Sequence, residues 1–241
     1  MTISRLSRSG IVLVTFIVLM GGCGTRDAAQ PSTTSETAKT TPAGPPAAGL
    51  HTFVIVPEQS KASYHASEEF FPDALARLGI EAGKTEAVGT TQAIEGRFQL
   101  DPERPTAPLG ENTFTVRVNT LTSSQTKRDD YLRQIRDDGP SFDAHPLATF
   151  RATAIDGRSA VNASGRELNL TLSGDLTVRE ITKREVFDVK AQLTGDTLTG
   201  VATTRFLLSD FGIGPIDFRP LVAVADPIGL EVQFTARAGP K

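Results

Sequence analysis

The sequence has 241 residues, of which 39% are hydrophobic and 22% are charged, and its formal net charge is −3. Residues 51–241 carry 21 basic and 26 acidic side chains, and this acidic balance gives no electrostatic reason to bind nucleic acid or an anionic membrane surface. The length allows one or two domains, and the single cysteine excludes an intramolecular disulfide.

The first 22 residues have the three-part pattern of an export signal. Arg5 and Arg8 precede an apolar run over 11–20, and two glycines then lead to Cys23. The apolar run is about half as long as a membrane-spanning helix needs to be. The pattern therefore predicts a signal peptide over 1–22 and no permanent transmembrane anchor.

The segment LMGGC at 19–23 resembles a bacterial lipobox, with Met20 where leucine is commoner. The resemblance implies cleavage before Cys23 and lipid attachment to its sulfur. An ordinary signal peptide with an incidental thiol is the alternative. The lipoprotein interpretation predicts a protein that is exported and lipid-anchored to a bacterial membrane, on the periplasmic or cell-surface side.

Residues 23–50 consist largely of Ser, Thr, Pro, Ala and Gly and contain almost no large apolar side chain. Such a segment can bury too little apolar surface to offset the entropy that folding removes. We predict a disordered tether over 23–50 and one folded domain over 51–241.

From His51 onward, apolar and polar residues alternate with the period of two that is typical of half-buried β-strands. One such set places Phe150, Ala152 and Ala154 on the same side, and in another Gly174 permits the bend of a coiled barrel strand. No strands alternate with long helices, which excludes an α/β sheet. The pattern predicts an all-β fold of about eight antiparallel strands. The alternating sets lie around 53–55, 62–66, 94–100, 114–118, 150–154, 168–178, 187–193, 198–208 and 228–236.

Two short helices interrupt the strands, one predicted over about 72–79 and one over about 126–138. Thr126 followed by Asp129 is typical of a capping box, and a Gly-Pro pair ends the second segment. We expect this second helix to lie across the mouth of the barrel. Its apolar face carries Tyr131, Leu132 and Ile135.

Several segments resemble the YceI-like domain family. They are RDDYLR at 128–133, SFDAHPLATF at 141–150, AVGTT at 87–91, EGRF at 95–98 and DFG at 210–212. The resemblance implies a lipocalin-like antiparallel barrel that holds a long isoprenoid or similar lipid at its centre. Glu180 departs from the family pattern, which usually has glycine in this hairpin, and the substitution leaves the form of the turn open.

Eight antiparallel strands with one apolar face each can remove their edges by closing into a barrel. A barrel of this size is either filled by its own side chains or holds one small ligand. The predicted inner face mixes phenylalanines with glycines and alanines, which fits both versions, and the family resemblance favours a tunnel. An outer-membrane barrel would alternate as well, but the lipoprotein-like start favours the soluble version.

The predicted ligand site is the lining of this tunnel. Arg128 and His145 are candidates to contact the polar head of a bound lipid. A structural role is the alternative for the charged pair at the start of the helix, with Asp129 capping it and Arg128 bonding a loop carbonyl at the rim. The predicted lining residues are Phe98, Phe114, Val116, Leu132, Phe150, Leu170, Leu172, Phe187, Val189, Phe206, Val232 and Phe234.

Motifs for catalysis or cofactor binding are missing from the sequence. His65 and His145 occur without a nucleophile signature, and no P-loop, dinucleotide-binding glycine pattern or haem motif is found. A metal site from His65, Glu68 and Glu69 is disfavoured because Glu68 would point to the opposite side of its strand. We expect neither an enzyme nor a bound cofactor or metal.

These features predict an extracytoplasmic binding or carrier protein that holds an isoprenoid-type lipid, an isoprenoid quinone or another long-chain amphiphile in an apolar tunnel. The expected partners are that lipid and, through a lipidated Cys23, a membrane. The alternative is a filled-core β-barrel that acts through its outer surface as an interaction or stress-related module, without a lipid ligand.

Overall fold

The computed structural model describes residues 49–105 and 110–239. The predicted signal peptide, Cys23 and nearly all of the predicted tether lie outside these residues. No helix in the described part is long and apolar enough to cross a membrane. The strands are β1 His51–Ile55, β2 Lys61–Phe70, β3 Gly83–Thr91, β4 Ile94–Leu100, β5 Asn112–Arg117, β6 Thr122–Ser123, β7 Leu147–Asn162, β8 Gly165–Val178, β9 Ile181–Thr194, β10 Thr197–Leu207, β11 Asp217–Phe218 and β12 Val222–Ala238, and the helices are α1 Asp73–Leu78 and α2 Thr126–Arg133.

The strands close into an antiparallel barrel with eight positions around its wall. At three positions two strands lie end to end, namely β1 with β2, β4 with β3, and β5 with β6. The remaining positions follow the chain from β7 through β8, β9 and β10 to β12, and β12 pairs with both β1 and β2. The wall therefore has no terminal strand, which confirms the predicted all-β, eight-stranded barrel.

The two ends of the barrel differ in what covers them. The start of β1, the β7–β8 and β9–β10 turns and the end of β12 lie together at one end. The opposite end carries α1, α2, the β8–β9 turn and the segment from β10 to β12. The described chain thus enters the barrel at the end away from the helices.

The predicted alternation fails at one place, in the middle of β7. Ala152 pairs with Gly174 and Ala154 with Ser173, so an extra residue is inserted as a β-bulge. A side chain at Gly174 would come within 2.3 Å of the Arg151 carbonyl oxygen, so only glycine permits this approach. The prediction that Ala154 faces inward is wrong, because the bulge turns it out to solvent and brings Ile155 to the interior.

Helix α2 ends at Arg133 and does not reach the predicted end near 138. The next residue, Gln134, already has an extended ψ of 134°. The backbone N–H groups of Phe142 and Asp143 donate to the carbonyls of Leu132 and Arg133, so the returning chain takes acceptors that another helical turn would use. Ile135 consequently lies beyond the helix and is 78% exposed, and its predicted place on the apolar face is wrong.

The β8–β9 hairpin contains the Glu180 substitution and still forms a two-residue turn. Arg179 and Glu180 have φ values of 49° and 67°, as the central residues of a type I′ turn require. Non-glycine residues adopt this left-handed conformation at a cost. The Arg179 guanidinium donates to the carbonyls of Gly212 and Asp137, which ties the turn to the neighbouring loops.

Candidate ligand cavity

The barrel encloses a cavity of about 790 Å³, within the range of small-molecule sites. Its lining is mostly apolar and comes from all eight positions of the wall. The centre of the barrel is therefore not filled by its own side chains.

All twelve residues predicted to line the tunnel border this cavity. Strand geometry explains the agreement for the eleven strand residues, because successive side chains of a strand alternate between its two faces, and Leu132 reaches the cavity from α2. That these side chains bind a ligand remains a prediction. The twelve are Phe98, Phe114, Val116, Leu132, Phe150, Leu170, Leu172, Phe187, Val189, Phe206, Val232 and Phe234.

The end at which the chain enters the barrel is closed by packed side chains. Phe53, Leu168 and Leu198 are at most 2% exposed there. The rings of Phe53 and Phe98 stack with centroids 5.4 Å apart, and Phe234 meets Phe98 edge-on at 6.4 Å. A ligand could not pass this end without unpacking the core.

The opposite end holds the opening of the cavity, which we call the mouth; it is bordered by α2, the loop after α1 and β11. Exposed residues of α2 and its flanks, such as Gln125 and Lys127, border the same cavity as the buried lining, so the cavity reaches the surface here. The ring of Tyr131 meets that of Phe218 edge-on across the mouth, with centroids 5.2 Å apart. Helix α2 thus lies at the mouth, as predicted.

A charged pair joins α2 to the barrel wall just inside the mouth. The Arg128 guanidinium donates from Nε and Nη2 to the two carboxylate oxygens of Glu68, at 2.7 and 2.6 Å. The side chains are 15% and 6% exposed. Two parallel charge-assisted hydrogen bonds are the strongest geometry available to such a pair. Arg128 therefore bonds a carboxylate of the wall, and among the described residues the expected bond to a loop carbonyl is not found.

Asp129 secures the segment that leads into α2. Its carboxylate accepts from the backbone N–H of Ser123 at 3.0 Å and from the Ser123 hydroxyl at 2.6 Å. That hydroxyl also accepts from Arg128 Nη1 at 2.9 Å. The predicted capping box is wrong in detail: Gln125 is the N-cap and makes no side-chain capping bond, and Thr126 is the first helical residue. Asp129 instead bonds Ser123, which precedes the helix.

Tyr64 stands on the cavity wall, and its ring lies against the backbone of Gly89 on β3. A Cβ at Gly89 would come within 2.2 Å of the ring, so the glycine makes room for it. The Tyr64 hydroxyl is buried beside Ser123. Burial raises the pKa of Tyr64 to about 12. The phenol is therefore a neutral donor at physiological pH.

Glu68 and Tyr64 are cavity residues that the sequence-based site did not include. Both are in phase with Ala62 and Ala66, which face the interior from the same strand. The period of two along β2 was therefore the signal that could have identified them.

His145, the other predicted head-group residue, does not border the cavity. Its Nδ1 lies 3.9 Å from a carboxylate oxygen of Glu180 on the outer surface. The structure therefore does not bring His145 together with Arg128. Among the described residues, no group of His, Cys, Asp and Glu side chains could hold a metal ion.

The chain is similar to a known domain family in sequence and to solved structures in fold. A model of the YceI-like domain matches residues 53–236. The crystal structure of Burkholderia cenocepacia BcnA is similar, with 18% identity, a TM-score of 0.54 and coverage of 75% of this chain and 98% of that chain. A polyisoprenoid binding domain from Saccharophagus degradans, implicated in plant cell wall breakdown, has 11% identity, a TM-score of 0.54 and coverage of 79% and 99%. No curated protein matches the chain.

Proposed function

The chain belongs to the YceI-like domain family, and from this premise we propose that it binds and carries a long-chain amphiphilic lipid, of the isoprenoid type or an isoprenoid quinone, inside its barrel. The observation that carries the proposal is the apolar cavity of about 790 Å³, closed at one end and open at the mouth. The polyisoprenoid binding domain from Saccharophagus degradans, which has a similar fold, supports the choice of ligand class.

Affinity would come mainly from burial of the ligand tail, at about 25 cal/mol per Å² of apolar surface. A longer tail buries more apolar surface, so long chains would bind better than short ones. Because the lining offers few polar groups, the pattern of double bonds in the tail would change the affinity little. A binding role, and not catalysis, agrees with the pairing of Glu68 and Arg128, which leaves no free acid or base there.

We further propose that the protein is an exported carrier, held to a bacterial membrane through a lipid on Cys23. The lipobox-like segment at 19–23 supports this placement. Replacement of Cys23 by serine should move the protein from the membrane fraction to the soluble fraction and abolish metabolic labelling with palmitate. Unchanged membrane association and labelling would contradict the anchor without affecting the proposed ligand.

The ligand proposal is tested by purifying the full chain in mild detergent, extracting bound lipid and identifying it by mass spectrometry. The delipidated protein is then titrated with a fluorescent prenyl compound. We expect a co-purifying prenyl or other long-chain lipid and saturable uptake of the fluorescent compound. A folded, lipid-free protein that does not take up the compound would overturn the proposal.

A further inference from the structure

We propose that the protein forms a two-fold symmetric dimer in which the β7 strands of two copies pair edge to edge around Gly157. The interface is the part of β7 that extends past its neighbour β5, at the end of the barrel away from the mouth. This surface is separate from the opening of the lipid cavity, so the inference goes beyond the proposed function and does not depend on it.

One edge of β7 lacks a partner strand over the second half of its length. The pairing of β7 with β8 runs from Thr149 to Asn162, whereas its pairing with β5 ends at Arg151. Among the described residues, no further strand pairs with β7. We call the unpaired edge of residues 153–161 the free edge. An unpaired edge of this length is a template on which another strand can pair.

The backbone groups at the centre of the free edge are directed away from β8. A Cβ at Gly157 would collide with the carbonyl oxygen of Asn169, so this carbonyl of β8 faces β7. Asn169 and its partner Arg158 therefore exchange the hydrogen bonds between the two strands. Gly157 directs its N–H and C=O groups to the free edge, and Ile155 and Ser159 share this orientation because it alternates along a strand. In the described part of the chain, no other segment bonds the backbone of these three residues.

Opposite charges stand at symmetric positions of the free edge. When two copies pair antiparallel with Gly157 opposite Gly157, Asp156 of each copy faces Arg158 of the other. Both side chains are exposed, and Arg158 has no ion pair or hydrogen bond with any described residue. Opposite charges that face each other across two strands stabilise their pairing. Charges of one sign along the edge would repel a second copy, whereas this arrangement attracts it.

Asp156 has a local partner in the single copy that pairing would replace. Its carboxylate accepts from the Gly157 N–H at 2.7 Å. In the dimer, the Gly157 carbonyl of the other copy would accept from that N–H. The carboxylate would then be available to Arg158 of the other copy.

The free edge is also self-complementary along its length. Gly157 is its midpoint, so antiparallel pairing around Gly157 places every residue of the free edge opposite another one. Ala154 then meets Ala160, and Thr153 meets Val161, whose side chain is 73% exposed in the single copy. The pairing uses the free edges of both copies, so assembly stops at two. These features together favour a second copy of the chain as the occupant.

The first test measures the mass of the unaltered full chain. Analytical ultracentrifugation in a density-matched mild detergent is performed over a series of protein concentrations. We expect the mass of two copies at high concentration and of one copy after dilution. A chain that remains a single copy at the highest attainable concentration would overturn the inference.

The second test reverses the two charges. Arg158→Asp should raise the dissociation constant of the dimer by about tenfold, because two attractive pairs become repulsive. Asp156→Arg should have the same effect, and the double variant Asp156→Arg, Arg158→Asp should restore the affinity. Arg205→Asp makes the same change at an exposed position of β10 and should leave the dissociation constant unchanged. Thermal unfolding of each variant establishes that it is folded.

Two results of the charge reversal contradict the proposed pairing. The double variant should not dissociate as readily as the single variants, since the opposite charges again face each other. If it does, or if Arg205→Asp weakens the dimer as much as Arg158→Asp, the inference is wrong.

The third test uses cysteines to examine the register. Ala154 and Ala160 are exposed and lie about 20 Å apart along one strand, too far for a disulfide within one chain. In a Cys23→Ser background, the double variant Ala154→Cys, Ala160→Cys should form a disulfide-linked dimer on mild oxidation. Either single variant should remain uncross-linked, because each cysteine then faces an alanine. Equal cross-linking in single and double variants, or none in the double variant, would overturn the inference.

Discussion

Arg128 of α2 and Glu68 of β2 form two parallel hydrogen bonds although 60 positions separate them in the chain. Helix α2 has only eight residues and makes few backbone contacts with the barrel. The pair is one of several polar links between this short helix and the wall, beside the bonds of Asp129 to Ser123 on β6, and it helps to hold the helix at the mouth.

Removing one partner of this pair should destabilise the protein strongly. Arg128→Met leaves the Glu68 carboxylate buried without its cation, and we expect the free energy of unfolding to fall by about 3 kcal/mol. Urea unfolding followed by circular dichroism measures the change. The double variant Arg128→Met, Glu68→Leu should recover most of the loss, because the uncompensated charge is then absent.

Arg136 provides the exposed control for that experiment. Its side chain is 41% exposed and its ion pair with Asp138 lies at the surface, so Arg136→Met should change stability by less than about 0.5 kcal/mol. If Arg128→Met and Arg136→Met lower the free energy of unfolding equally, burial of the Arg128–Glu68 pair is not the cause of the destabilisation.

Filling the cavity should reduce ligand uptake without unfolding the barrel. Ala202 on β10 faces the cavity, and Ala202→Phe would occupy space that a lipid tail needs. Its neighbour Val201 points outward and is 37% exposed, so Val201→Phe adds the same ring outside. Titration with a fluorescent prenyl lipid should reveal a loss of at least about tenfold in affinity for the first variant only. A loss of the same size in Val201→Phe would contradict the inward assignment of Ala202.

The β8–β9 turn should gain stability from glycine at position 180. Glu180 has a φ of 67°, which costs a non-glycine residue about 1 kcal/mol or more. Glu180→Gly should therefore raise the free energy of unfolding by about 1 kcal/mol. Arg179→Gly should give no such gain, because it also removes the hydrogen bonds to Gly212 and Asp137. Chemical denaturation of both variants measures the free energy of unfolding. It distinguishes the removal of backbone strain at position 180 from the loss of the Arg179 hydrogen bonds.

The two tyrosines permit a direct measurement of the Tyr64 environment, since the chain has no tryptophan. In a Tyr131→Phe variant, the absorbance of tyrosinate should titrate with a pKa of about 12 in the folded protein, against 10.0 for an unperturbed phenol. Burial is the largest cause, because it disfavours the charged form. Titration near 10 would contradict the burial of the hydroxyl.

The same raised pKa predicts how stability depends on pH. Between pH 10 and pH 12 the unfolded chain releases the Tyr64 proton while the folded protein retains it. The free energy of unfolding should therefore be highest below pH 10 and fall as the pH rises, by at most about 2 kcal/mol from this residue. Denaturation curves recorded over this pH range measure the dependence. Tyr64→Phe should remove the part that comes from this residue, whereas an unchanged dependence of the free energy of unfolding on pH would show that other groups cause it.

The interior of the barrel was largely predictable because strand geometry is local. Side chains alternate with a fixed period, so an apolar residue such as Phe187 can be placed inside from its immediate neighbours. The same reasoning would have placed Glu68 inside as well. The error at Ala154 has a different origin. The bulge depends on the close approach of β7 to Gly174 on another strand, and the regular alternation up to Ala152 does not indicate it.

By itself, then, the sequence determined which face of each strand is apolar and hence that the strands enclose a common interior. Only the tertiary structure decided that this interior is hollow, that α2 ends at Arg133, and that Glu68 is the partner of Arg128. The physical reason is the range of the interactions: alternation arises within a few residues of chain, whereas cavity volume, helix termination by a returning segment and a buried ion pair depend on residues that meet only after the barrel closes.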